Sequence, residues 1–207
     1  MLLKEVFIPL SNLYTKNKDH SISLWQDIVC TYAKKHRYYH NLLHLENVYQ
    51  KLTQVKTSIN DWDMVLFSLF YHDYVYDVLR NDNENKSAEK AEEILKSLQV
   101  DPLRIQHCKS IILATKGHQI STNSDTNYFT DADLSILGSS WDEYEVYFRN
   151  VRKEYRYYPN FMYIKGRTKV LHHFINMPTI FKTDFFYSNF ETQAKRNLQK
   201  EFDLLTI

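Results

Sequence analysis

Three glycines and four prolines in 207 residues leave few chain-reversing positions for a many-stranded sheet, whose hairpins draw heavily on both. Apolar residues recur instead at three- and four-residue spacing, the period of one helix face. The chain is therefore expected to be all-α, a single-domain helical bundle over 1–207 with its core at about 22–205. Charged residues make up 25% and hydrophobic ones 43%. No apolar run approaches the ~18 residues of a membrane span, so length and composition fit a soluble globular domain. The opening stretch carries Glu5 and is interrupted by Pro9, unlike a secretory leader, and a cytoplasmic location is expected. Cys30 and Cys108 show no metal-type spacing and are read as reduced core residues.

Helix signals follow in order. Ser21 caps a first helix that ends near Lys35 or His36. A second runs from about Asn41, with His40 and His44 one turn apart at its start. Asp61 or Asp63 caps a third, whose Met64–Phe70 is apolar nearly all round, as at the centre of a bundle. Leu79–Lys86 reads as a surface loop before a fourth helix from Ser87, and Asp101-Pro102 opens a fifth that Gly117 stops. Residues 118–127 read as loop. Asp131 is then the N-cap of a short helix to Leu137 that Gly138 ends. Ser140 with Glu143 and Ser188 with Glu191 form capping boxes for two later helices, and another helix covers Tyr163–Ile175. Tyr144, Tyr147, Tyr155, Tyr157 and Tyr158 are read as packing surface with polar tips.

A hydrolytic metal site needs neutral imidazoles and carboxylates converging from elements that a core holds rigidly, with positions left for water and substrate. His44, His72, Asp73 and Asp133 can supply such a set. Their separations, 28 residues from His44 to His72 and 61 from His72 to Asp133, suit ligands on three helices. Nitrogen and oxygen donors without thiolate admit Mn, Fe, Co, Ni, Zn or Mg. The net charge of +1 argues against a nucleic-acid polymer or a membrane as partner, although a local basic cluster can still hold a phosphate. A small phosphorylated molecule is the expected partner.

One His, then His-Asp, then a later Asp on an all-α chain resembles the HD superfamily of metal-dependent phosphohydrolases. Tyr39-His40-Asn41-Leu42-Leu43-His44 and Ala132-Asp133-Leu134-Ser135 are similar to the first and last metal segments of the cyclic-nucleotide phosphodiesterases. That likeness assigns Asp133 over Asp131 as ligand, and implies that His44 binds metal while His40 donates a proton to the leaving oxygen. From about Trp25 to Leu205 the chain resembles a bacterial branch, the predicted metal-dependent HD phosphohydrolases. The phrases that carry this are Arg37-Tyr38-Tyr39-His40-Asn41, His72-Asp73-Tyr74-Val75-Tyr76-Asp77, Asn83-Glu84-Asn85-Lys86-Ser87-Ala88, Ala114-Thr115-Lys116-Gly117-His118, Arg152-Lys153-Glu154-Tyr155 and Gly166-Arg167. Hydrolases of the alarmone (p)ppGpp carry Glu where Tyr76 stands here, so their carboxylate pair is incomplete.

The resemblance implies metal-activated water attacking the phosphorus of a nucleotide or other phosphorylated metabolite. Asp77 or Glu84 would orient that water, and Arg37, Lys116, His118, Arg152 and Arg167 are candidates to hold phosphate. Ion pairing with helix carboxylates is the competing role for Arg37, Arg152 and Arg167. Two other functions compete: a metal- and nucleotide-binding sensor without turnover, and a di-iron oxygenase that recruits further ligands such as His118.

Overall fold

The computed structural model describes residues 2–206; Met1 and Ile207, the ends of the expected 1–207 domain, lie outside the described residues. Every regular element among the described residues is helical, as the scarcity of glycine and proline requires. None of these helices is long and apolar enough to cross a membrane. Contacts divide the chain into two compact units, one ending at Thr130 and the other beginning at Asp131.

The first unit contains α1 (Leu2–Asn12), α2 (Lys18–Tyr32), α3 (Leu42–Gln54), α4 (Trp62–Tyr71), α5 (Asn83–Ser97) and α6 (Pro102–Ala114). It also holds most of α7 (Ser124–Leu134), which runs unbroken through the division. Helix α4 is the centre: every residue from Met64 to Tyr71 is buried, and α3, α5 and α6 pack on it. Asp61 caps it by accepting the Met64 amide at 3.2 Å. Its one mid-helix hydroxyl, Ser68, donates to the Met64 carbonyl at 2.8 Å and is thereby satisfied within the helix.

The core begins earlier than residue 22. Helix α1 inserts Leu3, Phe7 and Leu10, and the Phe7 ring lies 4.9 Å from Phe70 and 6.0 Å from Trp25, centroid to centroid. Several expected boundaries shift for local reasons. Asn17, not Ser21, caps α2 by accepting the His20 amide, and Ser21 is instead buried, donating to Asn12. α2 ends at Tyr32 rather than at Lys35 or His36. α5 starts at Asn83, so Asn83 and Glu84 form its first turn rather than a loop. Cys108 is buried as expected, whereas Cys30 is exposed.

The second unit contains a 3-10 turn (Ser135–Gly138), α8 (Trp141–Glu154), α9 (Asn160–Asn176) and α10 (Asp184–Thr206). The Ser140/Glu143 capping box is present. The turn approaches α10 so closely that a Cβ on Gly138 would lie 2.5 Å from the Phe190 carbonyl oxygen. Glu191, expected in a second capping box, is a buried residue in the middle of α10. Its carboxylate accepts the backbone amides of Ile180 and Phe181 at 3.0 to 3.1 Å. Asp131, inside α7 rather than at the start of a helix, likewise binds the connection that precedes α10, accepting the Lys182 and Thr183 amides and the Lys182 ammonium.

Phe7→Ala is expected to cost roughly 3–5 kcal/mol, the range for emptying a well-packed aromatic site, and to lower the urea midpoint accordingly. Leu103→Ala, at a position 82% exposed, should stay within about 0.5 kcal/mol. Burial pushes the Cys108 thiol up to about 12, favouring its unreactive neutral form. Iodoacetamide at pH 8 should therefore modify Cys30 in the native protein and Cys108 only after denaturation, as read by mass spectrometry of peptides.

Candidate metal centre

The site is assembled where α4 ends. His72 is the C-cap residue of α4, its amide still bonded to the Ser68 carbonyl at 2.8 Å. Its ring Nδ1 lies 3.0 Å from the Leu69 carbonyl oxygen. A carbonyl only accepts, so Nδ1 carries the proton and Nε2 presents a lone pair, the arrangement by which an outer partner orients a ligating histidine.

His44 reaches the same place from the first turn of α3. Asn41 starts that helix by accepting the Leu43 amide at 2.9 Å, which fixes His44 as its third residue. His40 therefore lies before the cap, in the connecting segment, and not on the helix. The two imidazoles are 3% and 2% exposed, with their Nε2 atoms 3.2 Å apart. Asp73 Oδ2 stands 3.2 Å from His72 Nε2 and 3.6 Å from His44 Nε2.

The last member comes from α7. Phe129 packs edge-on against the His72 ring, 5.5 Å between centroids. Asp133 follows one helical turn later on the same face. His44, His72 and Asp133 each offer a ligand atom within 4.8 Å of one another. A lone pair on His72 and the carboxylates of Asp73 and Asp133 are acceptors, a set that can hold a cation. The donor set fits a divalent metal held by nitrogen and oxygen. Burial raises the Asp73 carboxyl, but the nearby imidazoles of His72, His40 and His44 outweigh it. The carboxyl is held well below the ordinary carboxylate range.

Around this cluster the chain builds an aromatic wall. Tyr39 lies 4.9 Å from both His40 and His44, and Tyr76 stacks on His40 at 4.2 Å. Arg37, expected to hold phosphate, is buried and engaged elsewhere. Its guanidinium donates to the carbonyls of His40, Asp73 and Tyr74 at 2.8 to 3.1 Å, and lies over the Tyr32 ring. It fastens the His40 segment to the His-Asp segment.

The remaining expected residues fall away from the cluster's bonding. Asp77 is exposed and turned into its own loop, accepting the Leu79 amide. Neither Asp77 nor Glu84 shares a hydrogen bond or ion pair with a ligand residue among the described residues. Lys116 is exposed and donates to the Asn81 carbonyl at 2.6 Å, and His118 turns at φ 49° just after α6.

In the second unit, Arg152 donates to the carbonyls of Tyr155 and Tyr158 and to Asn160, beside an open cleft of about 550 Å³ walled by Phe148, Tyr163, Ile164 and Leu205. Arg167 forms a bidentate pair with buried Glu201 at 2.7 and 2.8 Å. These two arginines hold helices together, as does Arg37; only Arg167 does so through the ion pair that the alternative reading foresaw. Phe129 had no part in the sequence reading, and Tyr39 and Tyr76 entered it only as motif positions, without their ring contacts to the histidines. The four-residue step from Phe129 to Asp133 was the one available signal for Phe129.

No protein-family model, curated protein or solved structure matches the chain.

Equilibrium dialysis against Mn²⁺ or Zn²⁺ should show stoichiometric binding. His72→Ala should weaken it by more than the roughly 10–100-fold that loss of an outer partner costs, and Lys116→Ala should leave it unchanged.

Proposed function

We propose that the chain is a metal-dependent phosphohydrolase of the HD type, acting on a nucleotide or another small phosphorylated metabolite. The observation that carries this reading is the convergence of His44, His72 and Asp133, with Asp73 against both imidazoles. It is the set that the resemblance to HD phosphohydrolases assigns to metal. When bound, a divalent ion in such a site lowers the pKa of a coordinated water and polarises a phosphoryl oxygen.

The chain's own groups divide the rest of the work. His72 is locked in one tautomer by the Leu69 carbonyl. His40, stacked on Tyr76 with Tyr39 edge-on to it, is the acid that protonates the leaving oxygen. The ring stacking fixes its plane, which a proton donor needs if it is to act in one direction. Phosphate recognition falls to exposed groups near the ends of α5 and α6, with Lys116 the cation, because Arg37 is committed to backbone carbonyls.

One observation favours a binding role without turnover. Asp77, the single carboxylate left of the alarmone-hydrolase pair, is occupied with its own turn, and Tyr76 packs on His40 where the other carboxylate would stand.

The metal-loaded protein is assayed for phosphate release from nucleoside mono-, di-, tri- and cyclic phosphates. Turnover is expected with at least one class and should vanish in His72→Ala and Asp73→Ala. His40→Ala should lose roughly 10²- to 10⁴-fold in kcat, the usual contribution of a positioned acid, while keeping its metal. Phosphate release that survives loss of His72 would exclude the metal-centred reading. Ligand-induced stabilisation without product under any metal would favour the sensor.

A further inference from the structure

Helix α9 carries Lys165, Arg167, Lys169, His172 and His173 and not one carboxylate in 17 residues. From Arg149 to Lys169 seven cations stand against Glu154 alone, in a chain whose net charge is +1. Two of the seven are neutralised within the second unit, Arg149 by Glu145 and Arg167 by Glu201. Lys153, Arg156, Lys165 and Lys169 all lie at the surface. Lys165 and Lys169 have no ion-pair partner among the described residues.

Apolar side chains are set among these charges. Tyr157 is 65% exposed, Phe161 73%, Met162 47% and Val170 44%. At 100° per residue, Phe161, Lys165 and Lys169 follow one side of the solvent face and Met162, Gly166 and Val170 the other. Tyr163 and Leu171 point to the interior. A Cβ on Gly166 would meet nothing within 4 Å, so the face is open along its middle. Single exposed apolar residues need no explanation, but several on one helix face beside unpaired lysines mark a contact surface.

The chemistry of the face selects its occupant. A platform for single-stranded nucleic acid offers ring faces on which bases stack. Here the Tyr157 ring is covered by the Arg156 guanidinium at 5.0 Å, and Met162 and Val170 have no ring to offer. Phe, Met and Val can instead enter the boundary between headgroups and acyl chains, while lysines extend their stems and keep their ammonium groups among anionic headgroups. We propose that the solvent face of α9, with Tyr157 and Phe161 at its N-terminal corner, docks peripherally on a bilayer rich in anionic phospholipid. This role is independent of the metal cluster.

The full chain is sedimented with phosphatidylcholine vesicles and with vesicles rich in phosphatidylglycerol, at low and high salt. It should bind the anionic vesicles and lose most of that binding as salt is raised. Lys165→Gln/Lys169→Gln should bind about thirty-fold more weakly, from the usual contribution of each lysine near an anionic surface. Phe161→Ser/Met162→Ser should remove the binding that persists at high salt. All four positions are solvent-facing, so circular dichroism and the hydrolysis of a soluble substrate should be unchanged in both variants. Equal binding to both vesicle types, no binding, undiminished binding by the lysine variant, or capture by a single-stranded oligonucleotide with vesicles ignored would each overturn the proposal.

Discussion

A helix buried on every side must end inside the protein, and the way α4 ends determines the candidate site. The last carbonyls of a helix have no partner within it, and leaving one dry costs about 1–3 kcal/mol. Here each of the last three is met, and one of the donors, His72, is itself a member of the metal cluster. The Leu69 carbonyl takes the His72 Nδ1 proton, the Phe70 carbonyl takes the Tyr32 hydroxyl, and the Tyr71 carbonyl takes the Tyr74 amide. Beyond His72, Arg37 takes the carbonyls of Asp73 and Tyr74. Terminating the helix and aiming the ligands are thus one set of bonds.

That coupling explains why Arg37 is an arginine. A fork of planar donors can reach three carbonyls on two segments at once, which an ammonium on a flexible stem does poorly. The tyrosine ring beside it offsets part of the cost of burying its charge. Substituting it would loosen the His40 segment and the His-Asp segment together. A loss of activity at Arg37 would therefore report on positioning, although the residue type alone suggests phosphate binding.

What could be read in the sequence was whatever is local. The apolar run of α4, the caps Asp61 (one of two candidates with Asp63) and Asp101, and the Ser140/Glu143 box depend on neighbours within a turn, and all are found where spacing puts them. Asp131 and Glu191 misled because each caps backbone amides of a segment remote in sequence, 51 and 11 residues away. A carboxylate at a plausible cap position carries no mark of which helix it serves. Helix α1 was hidden by Pro9, which its own packing through Phe7 tolerates. In the cluster, His44, His72 and Asp133 were legible from a three-part pattern. Arg37 and Arg152 were not, because a guanidinium bonded to carbonyls has the same letter as one awaiting phosphate, whereas the pairing of Arg167 with Glu201 was one of the two roles open to it.

Net charge is a similarly coarse guide. A total of +1 describes what a distant ion feels, yet screening confines the field at a surface to about 8–10 Å at physiological salt. Within that distance only the local arrangement counts. On α9 that arrangement has no carboxylate at all, while the acidic residues that balance it lie mostly on other elements. Glu89 and Glu93 on α5, for example, already hold their own lysines at i and i+3 spacing. Cations whose counter-charges are tied up elsewhere stay available to an outside partner, and the expectation of no membrane surface, drawn from the total alone, does not follow from the arrangement.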